Sequence, residues 1–269
     1  MFRTRLLTRL ATAAALIAGL LGALFWLDRL AFTAVIALVI VLAGLEWATL
    51  CGARGPGAWA YGLACAVIFV SLAQLPGAAA WACGLAVAFW LLVAPMALAR
   101  APASGAFWIV SGVPVLVPAG LAMTALAPRM ALLALGLVWI ADTGAYLAGT
   151  RFGRHKLAPK ISPGKTWEGV AGGAAGSLIY AMICVMFFPD LGGRVAGAIW
   201  VPFIAGALAL FALSVLGDLF KSVLKRRAGV KDSGKLLPGH GGVVDRIDSA
   251  TAVLPAALLL LTAIEAAQR

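Results

Sequence analysis

The chain has 269 residues, 63% of them hydrophobic and 12% charged, with a mean hydropathy of +1.03, far from the roughly 25% charged residues of soluble domains. Its apolar runs recur at about 20 residues, a length that a bilayer roughly 30 Å thick requires and a soluble core does not. The net charge of +11 does not make this a nucleic-acid-binding protein: no recognition module is visible, and retention of basic loops on one side of a membrane accounts for the excess.

Taken in chain order, the sequence predicts helices near 10–27, 30–50, 58–74, 79–98, 107–127, 131–149, 167–188, 195–217 and 249–265. The expected fold class is therefore an all-α polytopic integral membrane protein with about nine transmembrane helices. The first span, behind Arg3, Arg5 and Arg9, has the layout of a signal peptide, but no clear A-x-A site follows it, so a retained helix is expected. Breaks such as GARGPG at 52–57 separate the spans. Cys51, Cys65, Cys83 and Cys184 lie in or beside apolar runs without C-x-x-C spacing and read as small packing residues.

Basic residues favour the cytoplasmic side of short loops. With the N-terminus inside, the inner segments hold 17 of the 21 Lys and Arg, including five in 151–165 and seven in 221–246. The outer side keeps four: Arg29, Arg129, Arg194 and Arg269. Both large polar segments then face the cytoplasm, where anionic lipid headgroups are natural neighbours.

The first polar segment is ADTGAYLAGTRFGRHKLAPKISPGKTWEGVAGG, 141–173. Asp142 near the end of a span is a functional candidate, because an ionisable group there is costly unless used. The loop beyond it carries Arg151, Arg154, Lys156, Lys160 and Lys165 with no acid until Glu168, which suggests that a ligand supplies the missing anions. SPGKT at 162–166 reads as a helix start, with Ser162 as N-cap and Pro163 in the first turn, and such an N-terminus beside Lys165 suits a phosphate. It is not a P-loop: that motif needs glycine where Pro159 stands, and no preceding strand is expected.

The second segment is GDLFKSVLKRRAGVKDSGKLLPGHGGVVDRIDS, 217–249. If the helix runs past Gly217, Asp218, Ser222 and Lys225 share one face at i, i+4 and i+7, opposite Leu219, Phe220, Val223 and Leu224. LPGHGG at 237–242 allows close backbone approach and positive φ, and His240 within it reads as a loop residue before a catalytic one. Asp245 and Asp248 open the last span at i and i+3, where they either pair with Arg246 or hold a hard divalent ion. Asp218 and Asp245, from two helices, would suit one such ion.

Residues 222–248, SVLKRRAGVKDSGKLLPGHGGVVDRID, resemble the signature of the phosphatidate cytidylyltransferase (CDP-diacylglycerol synthase) family. The pattern S-x-x-K-R, four residues, K-D-x-G, then L-P-x-H-G-G-x-x-D-R-x-D is met at every fixed position, and Asp142–Tyr146 and Ile161–Gly169 match its upstream elements. The resemblance covers about 135–265 and leaves 1–130 as five apolar spans, followed by a catalytic region 131–269 with cytoplasmic loops at 150–166 and 218–247.

The resemblance implies an inner-membrane nucleotidyltransferase, by composition bacterial, that makes CDP-diacylglycerol and pyrophosphate from CTP and phosphatidic acid at the cytoplasmic boundary. Mg²⁺ would sit on Asp218 and Asp245, with a second cation as a further candidate, and Asp248 and Asp142 would be weaker ligands. Lys165, Lys225, Arg226 and Arg246 would clamp phosphates; Ser222, Ser162, Lys231 and the loop with His240, Gly241 and Gly242 would line the substrates. Expected partners are CTP, phosphatidic acid and membrane lipids, with a homodimer as a candidate and no nucleic acid. Rival readings are a cytidylyltransferase for another lipid phosphate and a transporter, although a transporter places its charges near the midplane.

Overall fold

The computed structural model describes residues 2–267 except Ala101, Pro189, Asp190, Gly192, Arg194, 196–198, Pro238 and His240. Its helices are α1 (Phe2–Trp26), α2 (Arg29–Leu50), α3 (Pro56–Ala73), α4 (Ala78–Ala88), α5 (Ala94–Arg100), α6 (Gly105–Ala125), α7 (Pro128–Phe152), α8 (Trp167–Phe187), α9 (Trp200–Arg227) and α10 (Val244–Ala267). A π-helical turn, Phe89–Val93, joins α4 to α5 into a single span. Among the described residues eight spans are long and apolar enough to cross a membrane, and α1 adds a shorter apolar stretch, Ala11–Trp26. The polytopic helical architecture read from hydropathy is the one observed.

Two features depart from the expectation. Residues 150–166 are not simply a loop, and the fold is not wholly helical: β1 (Lys156–Ala158) pairs antiparallel with β2 (Ser162–Thr166) in a small hairpin. In 218–247, residues up to Arg227 continue α9, and Val244 already begins α10. The helix stops at Arg227 because Gly229 takes φ +71°, letting Gly229 N–H reach the Arg226 carbonyl and Val230 N–H the Lys225 carbonyl.

In a bilayer, helices associate through close packing of small residues rather than through hydrophobic expulsion. That is how α7 meets α8: a Cβ on Gly144 would lie 2.8 Å from the Gly172 carbonyl oxygen. Helix α10 packs on α9 and α7 and also on α6 and α4, so the two halves of the sequence share one interior.

Around α9 that interior is aromatic. Phe220, fully buried, sits among Trp47, Phe89, Trp90 and Trp108, with ring centroids 5.2–6.4 Å away. Trp47 Nε1 donates to the Trp108 carbonyl at 2.8 Å, fixing the cage. With Phe220 locked on one side of α9, Asp218, Lys221, Ser222 and Lys225 are turned away from the cage. Phe220→Ala is expected to cost about 3–5 kcal/mol and several degrees of melting temperature in detergent. A melting curve matching the parent protein would refute this anchoring.

Candidate active site

The hairpin, the C-terminal ends of α2, α7 and α9 and the start of α10 meet at one end of the bundle. Arg227 donates to the Pro102 carbonyl at 2.7 Å and Arg226 Nε to the Ile161 carbonyl at 3.2 Å, so the 102–103 loop and the hairpin lie at this same end.

The SPGKT stretch does not start a helix. Ser162–Thr166 is strand β2, paired antiparallel with Lys156–Ala158 across a register shift, so a strand does precede SPGKT and Ser162 is not an N-cap. The P-loop is excluded all the same, because SPGKT is itself extended. The cap of α8 is Thr166, in extended backbone, whose Oγ1 accepts from Gly169 N–H at 3.1 Å. The phosphate nest expected at Ser162 is therefore not formed there. At the true helix start, Glu168 takes the amides of Arg154 and His155 at 3.1–3.2 Å and His155 Nδ1 at 2.7 Å. The hairpin instead projects Lys165, whose Nζ reaches Asp218 Oδ2 at 2.8 Å. Part of the counter-charge that the basic loop lacks comes from α9.

On α9 the predicted stripe is real. Asp218 Oδ1 accepts from Ser222 Oγ at 3.3 Å, and one turn on Lys225 Nζ pairs with Asp245 Oδ1 at 2.7 Å. The Asp245 side chain is only 7% exposed, and its Oδ2 accepts from Ser233 N–H at 2.7 Å and Gly242 N–H at 3.2 Å. Glycine is required at 241: its φ is +81°, and an added Cβ would stand 3.0 Å from Asp245 Oδ2. Gly239 is also left-handed, at φ +75°.

Asp142, Asp218 and Asp248, from α7, α9 and α10, act on one another electrostatically, with Lys165 and Arg246 also acting on Asp142. The approach of α9 to α10 depends on Gly217, where an added Cβ would lie 2.9 Å from the Asp248 carbonyl oxygen and 3.2 Å from Ala252 Cβ. Of the other predicted residues, Arg226, Lys231 and Arg246 are exposed, Ser162 is half-buried in the hairpin, and His240 lies outside the described residues.

Two charged residues escaped the reading of the sequence. Lys221 is 1% exposed, its Nζ has no hydrogen-bond partner among the described residues, and it lies in the field of Asp248, Asp218 and Asp245. Glu46 of α2 is 3% exposed and bonds to the loop before α10. The signal for Glu46 was available: apart from Asp28 it is the only acid before Asp142, and it interrupts an apolar span.

The model of the cytidylyltransferase family matches residues 7–264. A phosphatidate cytidylyltransferase of Pseudomonas aeruginosa is 40% identical over 267 residues, covering 95% of this chain and 96% of its own. The Haemophilus influenzae phosphatidate cytidylyltransferase is 54% identical over 122 residues, 44% of this chain and 41% of its own. One from Staphylococcus aureus is 48% identical over 125 residues, 46% of each chain.

Proposed function

The chain belongs to the cytidylyltransferase family, and from that premise we infer a phosphatidate cytidylyltransferase. It is a membrane enzyme of phospholipid synthesis that transfers the cytidylyl group of CTP to phosphatidic acid, giving CDP-diacylglycerol and pyrophosphate. The observation that carries the site assignment is the pair of lysine–aspartate bridges, Lys165–Asp218 and Lys225–Asp245, at one end of a membrane bundle. Water-borne CTP and a lipid headgroup can both reach that end. The same end gathers the basic segments 151–165 and 221–246, which supports a cytoplasmic orientation in the inner membrane.

A phosphatidate oxygen forms the new bond to the α-phosphorus of CTP. The bond from that phosphorus to the bridging oxygen breaks, and its electron pair leaves with pyrophosphate. The attacking oxygen is already anionic, so no strong base and no covalent enzyme intermediate are needed; charge neutralisation and alignment carry the catalysis. The two bridges hold Lys165 and Lys225 at the site until phosphate oxygens replace the carboxylates as their partners. Arg226 and Arg246 add guanidinium donors from the exposed rim, and Ser222 with the 239–242 loop lines the nucleotide.

The carboxylate oxygens of Asp218 and Asp245 are the donor type that Mg²⁺ takes, and because the described residues gather no group of three or more ligating side chains, phosphate and water would fill its other positions. A carboxylate has about four lone-pair sites; Asp218 uses two on protein donors and Asp245 three, so each retains capacity. Asp218 and Asp245 would hold the ion, with Asp142 and Asp248 adding negative charge nearby. When bound it supplies charge neutralisation at the phosphates.

The test is purified protein with radiolabelled CTP, phosphatidic acid and Mg²⁺, omitting each in turn. Labelled CDP-lipid is expected only in the complete mixture. No product there, or an equal yield with a polyprenyl phosphate as acceptor, would overturn the reading. Lys165→Ala is expected to raise KM for CTP roughly tenfold with little change in melting, since a bridge whose side chains keep 23% and 29% of their surface in solvent contributes about 1 kcal/mol or less. Unchanged KM and kcat would reduce Lys165 to a structural tether.

A further inference from the structure

The loop that carries the substrate-binding signature is gripped by two carboxylates, and only one of them lies in that signature. Asp245 accepts the amides of Ser233 and Gly242. Glu46, from the distant α2, takes the neighbouring donors: Ser233 Oγ at 2.8 Å, Val243 N–H at 3.0 Å and Val244 N–H at 2.9 Å. Ser233 is thus shared, its N–H on Asp245 and its hydroxyl on Glu46. The consecutive amides 242, 243 and 244 divide the same way, the first to Asp245 and the next two to Glu46. A side chain at Gly234 or Gly242 would run into the Glu46 carboxylate, so the loop backbone lies directly on it.

The requirement for a carboxylate follows from the donors. Three of them converge on two oxygens in a buried place, so both atoms must accept. Glutamine would turn an NH₂ towards at least one donor, and aspartate is a methylene too short to reach from α2.

We infer that Glu46 is a positioning residue for the nucleotide site: by fixing Ser233, Gly234 and 242–244 against α2 it holds Asp245, and through it Lys225, where CTP phosphates bind. The inference rests on the reading of Asp245 and Lys225 as part of the active site. It joins the N-terminal spans to the reaction.

The test measures Glu46→Gln in detergent-purified full-length protein, with steady-state kinetics in both substrates and amide hydrogen exchange over 232–244. KM for CTP is expected to rise at least tenfold while KM for phosphatidic acid stays within twofold, with faster exchange at Ser233 and 242–244. A purely structural role would lower the folded fraction, reducing kcat and leaving both KM values alone; that result, or wild-type kinetics, overturns the inference. If Glu46→Gln does not fold, Ser233→Ala removes one of the three donors and is expected to raise KM for CTP about threefold. An unchanged KM there has the same overturning force. Asp245→Asn run in parallel separates the two levels. An inactive Asp245→Asn beside a kinetically normal Glu46→Gln sinks only the positioning role, whereas an active Asp245→Asn sinks the site assignment beneath it.

Discussion

Asp245→Asn is expected to yield a monodisperse, helical protein in detergent that makes essentially no CDP-lipid, with kcat down by about 10²–10³ or more. Asp245 meets Lys225 Nζ through one oxygen and two backbone amides through the other. An asparagine must therefore present its NH₂ either to an ammonium or to the amides. Removing one member of a buried ion pair costs up to about 3–5 kcal/mol, of which the remaining carbonyl recovers part. Fold therefore survives while the phosphate site loses both a charge and its loop geometry. Circular dichroism and the radiolabelled CTP assay on one preparation decide it. Turnover within about threefold of the parent would remove Asp245 from the mechanism.

Gly217→Val is expected to abolish activity by a different route. The added Cβ alone would stand 2.9 Å from the Asp248 carbonyl oxygen and 3.4 Å from Ser249 Cα, and valine adds two methyl groups. Helices α9 and α10 would have to separate beside Asp218 and Asp248, which act on each other electrostatically. Overpacking of this kind costs typically 1–3 kcal/mol, and the larger effect falls on the site, because the two carboxylates move apart. An Ala, Ser and Val series at 217 should show activity falling more than 100-fold by valine, well ahead of the decline in melting temperature. Wild-type activity in Gly217→Val would show that the close approach of α9 and α10 is not needed for the chemistry.

Much of this was legible from the residues. The spans announced themselves because a membrane demands long apolar runs, and few other environments do. The face of α9 with Asp218, Ser222 and Lys225 followed from helical spacing alone, and the glycines of LPGHGG allowed the positive φ that the structure places at 239 and 241. Local rules failed at SPGKT. Serine followed by proline opens a helix as readily as it enters a strand, and the choice was made by pairing with Lys156–Ala158 and by Trp167 N–H reaching back to the His155 carbonyl. Glu168, counted only as the first acid after a basic run, proved to be tied to the hairpin's entry.

The sequence by itself determined that this is a polytopic membrane protein, which residues carry its signature, and that its cations and acids cluster in two polar segments. Those properties depend on composition and on spacing within a single helix or loop. Only the tertiary structure decided which opposite charges meet: Lys165 with Asp218, Lys225 with Asp245, Lys221 among three acids, and Glu46 beneath the signature loop. The reason is physical. Pairing between elements is set by how closely backbones approach, at Gly217 against Asp248 and at Gly242 against Glu46, and that distance is a property of the packed bundle and of no single stretch of chain.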